Sequence, residues 1–394
     1  MKKGSVEHKA DLEPSEYSLE AGKHPYIDDL SRMVTEDAAA LSGTGLDVSS
    51  KSRSGTFLQV DHSVVHSRAL RDGTEVLPTE EALSRYDWVR EYLWKAVSAD
   101  TDRYTVLAKS RPDLGYFVRS LPGAKSVFPL QACLYVKTNN LLQHVHNILI
   151  AEEGSELDII SGCATASHLS RALHVGISEF YVKKGARLTF TMIHNWAEQV
   201  GVRPRSVAVV EEGGTFVSNY ICLKPVLSLQ MYPTARLVGK GAVARFSSML
   251  LAHPGATMDV GSRVVLSAEG SRAEVVSRAV SAGGEIIARG HLAAEAPGVR
   301  AHLECRGLIL TETGLVHAVP ELEASVRDVD LSHEAAVGKI AQEEIEYLMS
   351  RGLPADEATA AIVRGFLDVG IVGLPPELQK ELDNAITLSE AEGM

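Results

Sequence analysis

The chain has neither a long uncharged apolar run nor a dense cluster of basic residues. No segment reaches the roughly 18 uncharged apolar residues that cross a bilayer, and no apolar run follows the lysines near the N-terminus. We therefore expect no membrane span, no secretory leader and a cytoplasmic protein. The formal net charge is -12 at pH 7, so a phosphate-neutralising surface and a nucleic-acid partner are not expected either.

Cysteine is scarce and lacks the spacing of a local metal or redox motif. The four cysteines are Cys133, Cys163, Cys222 and Cys305, and no two form C-x-x-C. Disulfides are rare in a reducing compartment, so we expect free thiols. Any metal site must then be assembled from distant residues or from two chains.

A phosphate-binding loop is also missing. None of the three Gly-Lys pairs has Gly five positions earlier and Ser or Thr afterwards, so G-x-x-x-x-G-K-[ST] is absent. We expect no ATP site in this chain.

What is present is ordinary globular composition, with 45% apolar and 23% charged residues. Residues 1–55 are polar and predict a flexible, loosely attached arm, with one helix over 26–41. Residues 56–126 predict a small α/β region, in which one or two short amphipathic helices fall within 77–98.

Residues 127–331 consist of short β-prone runs separated by regularly spaced glycines. These glycines are at positions 154, 185, 214, 241, 255, 270, 284, 298 and 314. Their steps cluster near one length and its double, which is typical of a solenoid whose strands must stack on neighbouring turns. We predict a β-helix or β-roll, with an antiparallel sandwich as the alternative.

Residues 332–394 change to a period of about 3.6 and predict a C-terminal helical domain. A first helix after Ser332 would turn one apolar face inward, made of Val337, Ile340, Ile345, Leu348 and Met349. A second would do so with Ala358, Ala361, Ile362 and Val369. A third would begin at Pro375, with Leu378, Leu382 and Ile386 inward.

Several separated segments, in this order, resemble motifs of the SufB/SufD family of iron–sulfur cluster assembly scaffolds. They are FPLQACLYV (128–136), IAEEGSELDIISGCATA (150–166), IHNW (193–196), LECRGLIL (303–310), LSHEAAVGKI (331–340) and YLMSRGL (347–353). The likeness covers about residues 55–390 and excludes the arm before them.

The resemblance implies a right-handed parallel β-helix flanked by an N-terminal α/β region and a C-terminal helical domain. It implies a scaffold, not an enzyme by itself, that works as a homodimer and binds a SufC-like ABC ATPase through the helical domain. Its other partners would be a cysteine desulfurase or another sulfur donor, and apo iron–sulfur proteins. The cargo would be a transient iron–sulfur cluster, of [4Fe-4S] type, with a reduced flavin as one candidate electron donor.

The resemblance also implies a cluster site. Cys305 matches the cluster-building cysteine of SufB, Glu334 matches a SufB ligand, and His333 matches a SufD ligand, so one chain carries what a heterodimer divides. A thiolate is the usual iron ligand. The alternatives are that Cys305 is a small buried hydrophobe, and that LSHEA starts a helix with Ser332 or Asp330 as N-cap.

Cys163 matches a cysteine that receives sulfur and passes it through the β-helix interior, whereas Cys133 and Cys222 match no such position and are interpreted as core residues. His144 and His146 have a spacing able to chelate a metal, against which stands a pair of surface or hydrogen-bonded histidines. For His194, Asn195 and Trp196 we expect a turn-capping or packing role.

Two other classes of protein use a β-helix. A polysaccharide lyase or hydrolase would need secretion and clustered groove carboxylates. A structural or polymerising β-helix would tolerate Cys305→Ser.

Overall fold

The computed structural model describes residues 11–110 and 114–367, which form mainly strands. The strands are β1 (Gly55–Val60), β2 (Ser63–Ala69), β3 (Thr74–Pro78), β4 (Tyr116–Ser120), β5 (Leu130–Val136), β6 (Leu141–Ala151), β7 (Glu156–Thr165), β8 (Arg171–Val182), β9 (Arg187–Asn195), β10 (Gln199–Val202), β11 (Arg205–Val210), β12 (Thr215–Cys222), β13 (Ser228–Met231), β14 (Thr234–Leu237), β15 (Val243–Ala252), β16 (Thr257–Leu266), β17 (Arg272–Ser281), β18 (Glu285–Ala294), β19 (Val299–Ile309), β20 (Leu315–Ala324) and β21 (Val329–Gly338). The α-helices are α1 (Thr35–Ser42), α2 (Thr79–Arg85), α3 (Arg103–Lys109), α4 (Gln342–Ser350) and α5 (Ala355–Leu367). Short 3-10 helices lie at Pro14–Glu16, Leu30–Arg32 and Asp87–Glu91.

These strands wind into a β-helix of about 8 turns with two facing sheets. Sheet 1 has the order β2-β1-β5-β7-β9-β12-β15-β17-β19-β21. Sheet 2 runs from β3 through β4, β6 and β8 to the paired short strands β10/β11 and β13/β14, and then to β16, β18 and β20. From β5 onward neighbours are parallel, so the β-helix prediction is confirmed and the antiparallel sandwich is wrong.

The core lies between the two sheets because each strand alternates. In β15, for example, Ala244, Phe246 and Leu250 belong to the interior apolar cluster, while Arg245 between them is exposed. Gly154 and Gly185 stand at turn corners with φ of 66° and 62°, a left-handed conformation that glycine adopts without steric cost. The glycine spacing in the sequence therefore follows the coil length.

The N-terminal region closes one end of the β-helix with the antiparallel pairs β1–β2 and β3–β4. Leu30 and Leu41 are buried in an apolar cluster against the outer face of sheet 1. The prediction of a loosely attached arm is therefore wrong for residues 11–55. The burial of these apolar side chains offsets the conformational entropy lost when the segment becomes ordered. Residues 1–10 lie outside the described residues.

A buried hydrogen-bond cluster around Glu179 attaches the segment before α3 to the outer face of sheet 2. The carboxylate of Glu179 accepts hydrogen bonds from the backbone N–H groups of Trp94, Ala96 and Val97, at 2.5, 2.5 and 3.0 Å. It also lies 2.7 Å from Nε2 of His146. His144 and His146 are buried on the outer face of sheet 2, so they are not a surface pair, and the alternative of a hydrogen-bonded histidine is confirmed for His146.

At the C-terminal end of the β-helix the structure differs from the prediction made from the sequence. The prediction of a helix starting after Ser332, with Ser332 or Asp330 as its N-cap, is wrong: residues 329–338 are strand β21, paired with β19 along its length. The first C-terminal helix is α4, which begins at Gln342. The segment LSHEAAVG forms a strand because the backbone groups along one of its edges hydrogen-bond to β19.

Only part of the predicted helical faces is buried. In α4, Tyr347 and Met349 are 62% and 44% exposed. In α5 the buried residues are Ala358, Val363 and Leu367, of which Val363 and Leu367 pack on the outer face of sheet 1. Val369 and the predicted third helix from Pro375 lie outside the described residues. Among the helices of the described chain, none is both long and apolar enough to span a membrane.

Candidate functional site

Cys305 projects into the interior of the β-helix from β19. In this strand Ala301, Leu303 and Cys305 belong to the interior apolar cluster, and Cys305 is 1% exposed. The interior is narrow here, because a Cβ on Gly290 of sheet 2 would lie 2.2 Å from Cδ1 of Leu303. Cys305 is therefore held in a tight apolar position one strand from the end of sheet 1.

Burial raises the pKa of the Cys305 thiol to about 11. The nearby positive charge of Arg278 lowers this pKa, and the carboxylate of Glu304 raises it. The resting thiol is therefore protonated near neutral pH. Since the thiolate is both the metal ligand and the nucleophile, Cys305 of a single chain is inactive in this state.

Glu334 lies on the opposite face of sheet 1. It is the register partner of Glu304, whose side chain points outward, and its Oε1 is 2.8 Å from Nη2 of Arg306. The same arginine places Nε 2.6 Å from Oε1 of Glu304. A further arginine, Arg278, places Nη2 2.9 Å from that oxygen. Arg278, Glu304, Arg306 and Glu334 thus form an ion-pair ladder on the outer face.

The side chain of His333 lies on the opposite face of β21 from Glu334. Its register partner is the inward-facing Leu303, so His333 is on the interior face of β21, where it is exposed at the last coil. One chain therefore does not bring Cys305, His333 and Glu334 together. Among the described residues, no group of three or more His, Cys, Asp or Glu side chains is arranged to hold a metal ion.

The interior of the β-helix contains a row of reactive side chains. Cys163 of β7 is the register partner of His194 of β9, which in turn pairs with Cys222 of β12. All three are buried, and Nδ1 of His194 lies 2.7 Å from Oη of Tyr220. The prediction that Cys163 faces the interior route is consistent with this position.

A second row leads from Tyr220 to Cys305. Tyr220 pairs with Ser248, Ser248 with Ser277, and Ser277 with Cys305, on four successive strands of sheet 1. Oγ of Ser248 donates a hydrogen bond of 3.0 Å to Oγ of Ser277. Beside Tyr220 and Ser248 is an interior cavity of about 30 Å³, room for one or two waters or a species of that size.

Burial governs the acid–base state of this row. It raises the pKa of Cys222 to about 12 and raises that of Cys163 further. It lowers the pKa of His174, an inward neighbour that hydrogen-bonds Gln143, to about 3, and lowers that of His194 well below its ordinary value. At neutral pH these groups are uncharged, so the row can carry neutral species and disfavours ions.

The structure resolves the HNW segment into two roles. His194 and Trp196 face the interior, with ring centroids 5.2 Å apart. The amide of Asn195 donates a hydrogen bond of 3.3 Å to the carbonyl of Ala40, at the end of α1. On the neighbouring strand, Gly162 lets the chain after α1 approach closely, because a Cβ there would lie 2.3 Å from Oγ1 of Thr44.

The sequence did not single out Tyr220, Ser248 and Ser277, whereas the interpretation of Cys222 as a core residue is confirmed, because Cys222 is buried in the interior cluster. A signal was available: in a coil of about 28 to 31 residues, side chains one coil apart stack in register. Stepping back from Cys305 by one coil at a time reaches Ser277, Ser248 and Tyr220. No pattern marked Arg278, Glu304 and Arg306 before β21 was known to be a strand.

Comparison with known proteins shows the family to which the chain belongs. Residues 134–366 match the family described as SUF system FeS cluster assembly, SufBD core domain. An iron-sulfur cluster assembly SufBD family protein of Methanothermobacter thermautotrophicus is 49% identical over 375 residues, covering 94% of this chain and 92% of that protein. Its counterpart in Archaeoglobus fulgidus is 52% identical over 356 residues, covering 90% and 96%.

A more distant relative is the Bacillus subtilis protein named iron-sulfur cluster assembly protein SufB. It is 30% identical over 349 residues, which cover 86% of this chain and 74% of that protein. The family match spans more than half of the chain, and two relatives from separate organisms cover nearly all of it. The chain therefore belongs to the SufBD family of iron–sulfur cluster assembly proteins.

Proposed function

We propose that this protein is a non-enzymatic, cytoplasmic scaffold on which iron and sulfide are assembled into a transient iron–sulfur cluster, of [4Fe-4S] type, for transfer to apo-proteins. One observation carries the proposal: Cys305 stands one strand from a sheet edge, and that edge strand holds His333 and Glu334. A thiolate, an imidazole and a carboxylate are all ligands of iron in proteins.

The cluster site is completed by a second copy of the chain. Within the described residues, β21 pairs only with β19 and β20 only with β18, so both strands leave one edge of backbone groups without a strand partner. Such edges are templates for pairing with another chain. Exposed apolar residues at this end, Leu315, Leu322 and Val337, support a homodimer joined here. Cys305 of one copy is then brought to the edge strand of the other, which carries His333 and Glu334 on its two faces.

Sulfur reaches Cys305 through the interior row. A desulfurase-type donor leaves a persulfide on Cys163, and the thiolate of Cys222 attacks its outer sulfur. The Cys163 S–S bond breaks, a new S–S bond forms on Cys222, and Cys163 leaves as a thiolate, so no net oxidation occurs. The proton of Cys222 passes to Cys163 in the same step through the neutral imidazole of His194, which lies between the two cysteines in register, so no imidazolium forms.

Cys305 lies three strands from Cys222 in sheet 1, so the sulfane sulfur crosses on a small carrier. A hydrosulfide attacks the outer sulfur of the Cys222 persulfide and Cys222 leaves as a thiolate; Cys305 then attacks the resulting hydrodisulfide, becomes the persulfide and releases the hydrosulfide. There it is released as sulfide when a two-electron donor, such as a reduced flavin, cleaves the S–S bond and regenerates the thiolate. The interior cavity beside Tyr220 and Ser248 gives the moving sulfur space between the two cysteines.

Energy for exposing the site comes from a separate SufC-like ABC ATPase, because this chain lacks a phosphate-binding loop. The exposed apolar side chains of α4, Tyr347 and Met349, offer a helical face for that partner. ATP-driven movement of the two ATPase subunits distorts the dimer and opens the position of Cys305. This opening is needed because the buried thiol stays protonated at rest.

The test is anaerobic reconstitution of the chain, co-expressed with its ATPase, using iron, cysteine and a cysteine desulfurase. The wild type should acquire visible absorption and bound iron and sulfide. Cys305→Ser should lose them, and Cys133→Ser should keep them, because Cys133 packs on the outer face of sheet 1. A colourless wild type complex, or a Cys305→Ser variant that still holds a cluster, would reject the proposal.

A further inference from the structure

The ion-pair ladder on the outer face of sheet 1 connects helix α5 to Glu334. At its inner end the guanidinium of Arg278 lies 5.9 Å from the ring centroid of Phe366 in α5. At its outer end Arg306 binds Glu334. Glu304 joins the two halves, since its Oε1 lies within ion-pair distance of both guanidinium groups, 2.9 Å from Nη2 of Arg278 and 2.6 Å from Nε of Arg306. The ladder therefore spans three strands, from β17 to the edge strand β21.

Burial along the ladder decides which pairs matter. The side chains of Arg278 and Glu304 are 12% and 16% exposed, whereas those of Arg306 and Glu334 are 43% and 53% exposed. Removing a partner from the inner pair leaves a poorly hydrated charge, and the outer pair is solvated and weak. The Arg278–Glu304 pair is thus costly to break, whereas the Arg306–Glu334 pair separates easily.

We propose that Arg306 is a positioning residue that holds Glu334 away from metal, and that α5 controls this grip through Phe366, Arg278 and Glu304. The inference rests on the proposed role of Glu334 as a cluster ligand. When α5 moves away from sheet 1, Arg278 leaves Glu304. Glu304 then has Arg306 as its only counter-charge, draws it inward, and Glu334 is released at the edge of the dimer.

The exchange needs no net charge to enter or leave the interface. The ladder contains two arginines and two glutamates, and only the way in which they are paired changes. A carboxylate oxygen engaged by a guanidinium has fewer lone pairs free for a metal. Movement of α5 on the outer face of sheet 1 in this way frees Glu334, on the edge strand β21, to bind metal.

The test measures anaerobic binding of ferrous iron alone to the full-length protein. Glu334→Gln should weaken binding, which identifies the Glu334-dependent site. Arg306→Gln should strengthen binding roughly two- to fivefold, the range expected for freeing an exposed ion pair. In the Glu334→Gln background, Arg306→Gln should have no effect, because the freed carboxylate is gone.

Phe366→Leu tests the link to α5. It should strengthen iron binding in the same direction as Arg306→Gln, and add nothing once Arg306 is replaced. Tyr26→Leu is the control, an aromatic residue that is 53% exposed beside β2 at the opposite end of sheet 1, and should leave binding unchanged. Arg306→Lys, which keeps the charge but loses the forked donor geometry, should give a smaller increase and serves if Arg306→Gln does not fold.

The outcomes separate the two claims. If Glu334→Gln leaves iron binding unchanged, the ligand role of Glu334 fails and this inference falls with it. If Glu334→Gln weakens binding but Arg306→Gln acts equally in both backgrounds, its effect is general electrostatics, and only the inference is overturned. An unchanged affinity in Phe366→Leu overturns the part played by α5.

Discussion

Cys305 and Glu334 lie on opposite faces of the same sheet. Cys305 points into the β-helix, whereas Glu334 points outward and binds Arg306 across two neighbouring strands. A single copy therefore cannot close both side chains on one metal ion without breaking its last strand pair. This relationship is the main reason for assigning the cluster site to two chains.

The reactivity of Cys305 should report its buried, protonated state. Below its pKa of about 11, the rate of alkylation should rise about tenfold per pH unit, since only the thiolate reacts. Glu304→Gln removes a negative charge that disfavours the thiolate, so it should lower the pKa and speed alkylation at a fixed pH. Arg278→Gln should do the reverse. Peptide mapping after iodoacetamide treatment measures both.

Cys133 provides the internal control for this experiment. It is also buried, with a pKa raised to about 12, and it packs on the outer face at the far end of sheet 1. Neither substitution should alter its rate. Fast alkylation of wild-type Cys305 at neutral pH would show that the thiol is not held as the structure indicates.

The interior row should distinguish cysteines by the face they occupy. Cys222→Ala should sharply slow the arrival of persulfide sulfur at Cys305 after loading by a desulfurase, because the intermediate acceptor is lost. Cys133→Ala, on the outer face, should leave it unchanged. Mass spectrometry of trapped persulfides follows each cysteine. Equal rates in Cys222→Ala and wild type would remove Cys222 from the route.

Gly162 should be intolerant of even one methyl group. Its Cβ would lie 2.3 Å from Oγ1 of Thr44, which must then move with the turn after α1. We expect Gly162→Ala to cost about 1–3 kcal/mol in the free energy of unfolding, the usual range for overpacking. Gly22→Ala meets no atom within 4 Å and should be nearly neutral. Urea unfolding of both variants tests the difference.

Acid should destabilise the fold through the interior histidines. The pKa of His174 is lowered to about 3 and that of His194 is also lowered, so both stay neutral in the folded chain while the unfolded chain takes up protons below about 6.5. Their contribution is complete above pH 6.5 and is lost as the pH falls. Each should add a slope of about 1.4 kcal/mol per pH unit.

His174→Gln should remove one of these slopes between pH 6 and pH 4, as measured by urea unfolding at each pH. The variant loses some stability at neutral pH, so the slope, not the absolute value, is the diagnostic quantity. An identical slope in variant and wild type would mean that His174 is not held neutral.

The β-helix could be predicted from the sequence because its glycines repeat with the coil length and its strands alternate. The interior route that the family resemblance implied for Cys163 agrees with its position in the interior cluster, whereas the interior position of Cys305 was not predicted. Strand β21 was missed because SHEAAVG is compatible with a helix, and its strand partners lie about 30 residues away on β19. Such pairing is non-local, and no local pattern encodes it.

Non-local packing also explains why the attachment of residues 11–55 was not predicted. Their polar composition predicted loose attachment, but a few apolar residues such as Leu30 and Leu41 suffice to fix them against sheet 1. The ladder of Arg278, Glu304 and Arg306 depends on the position of β21 in the same way. Once the register is known, these residues follow from it.

The most direct test of a cluster site shared by two chains is complementation between inactive variants. Cys305→Ser chains and His333→Gln/Glu334→Gln chains are co-expressed with the ATPase and reconstituted anaerobically, alone and together. Each alone should hold no cluster. Mixed dimers contain one complete site, so the mixture should recover about a quarter of the wild-type cluster if chains pair at random. No recovery in isolated mixed dimers would contradict a site built from Cys305 of one copy and His333 and Glu334 of the other.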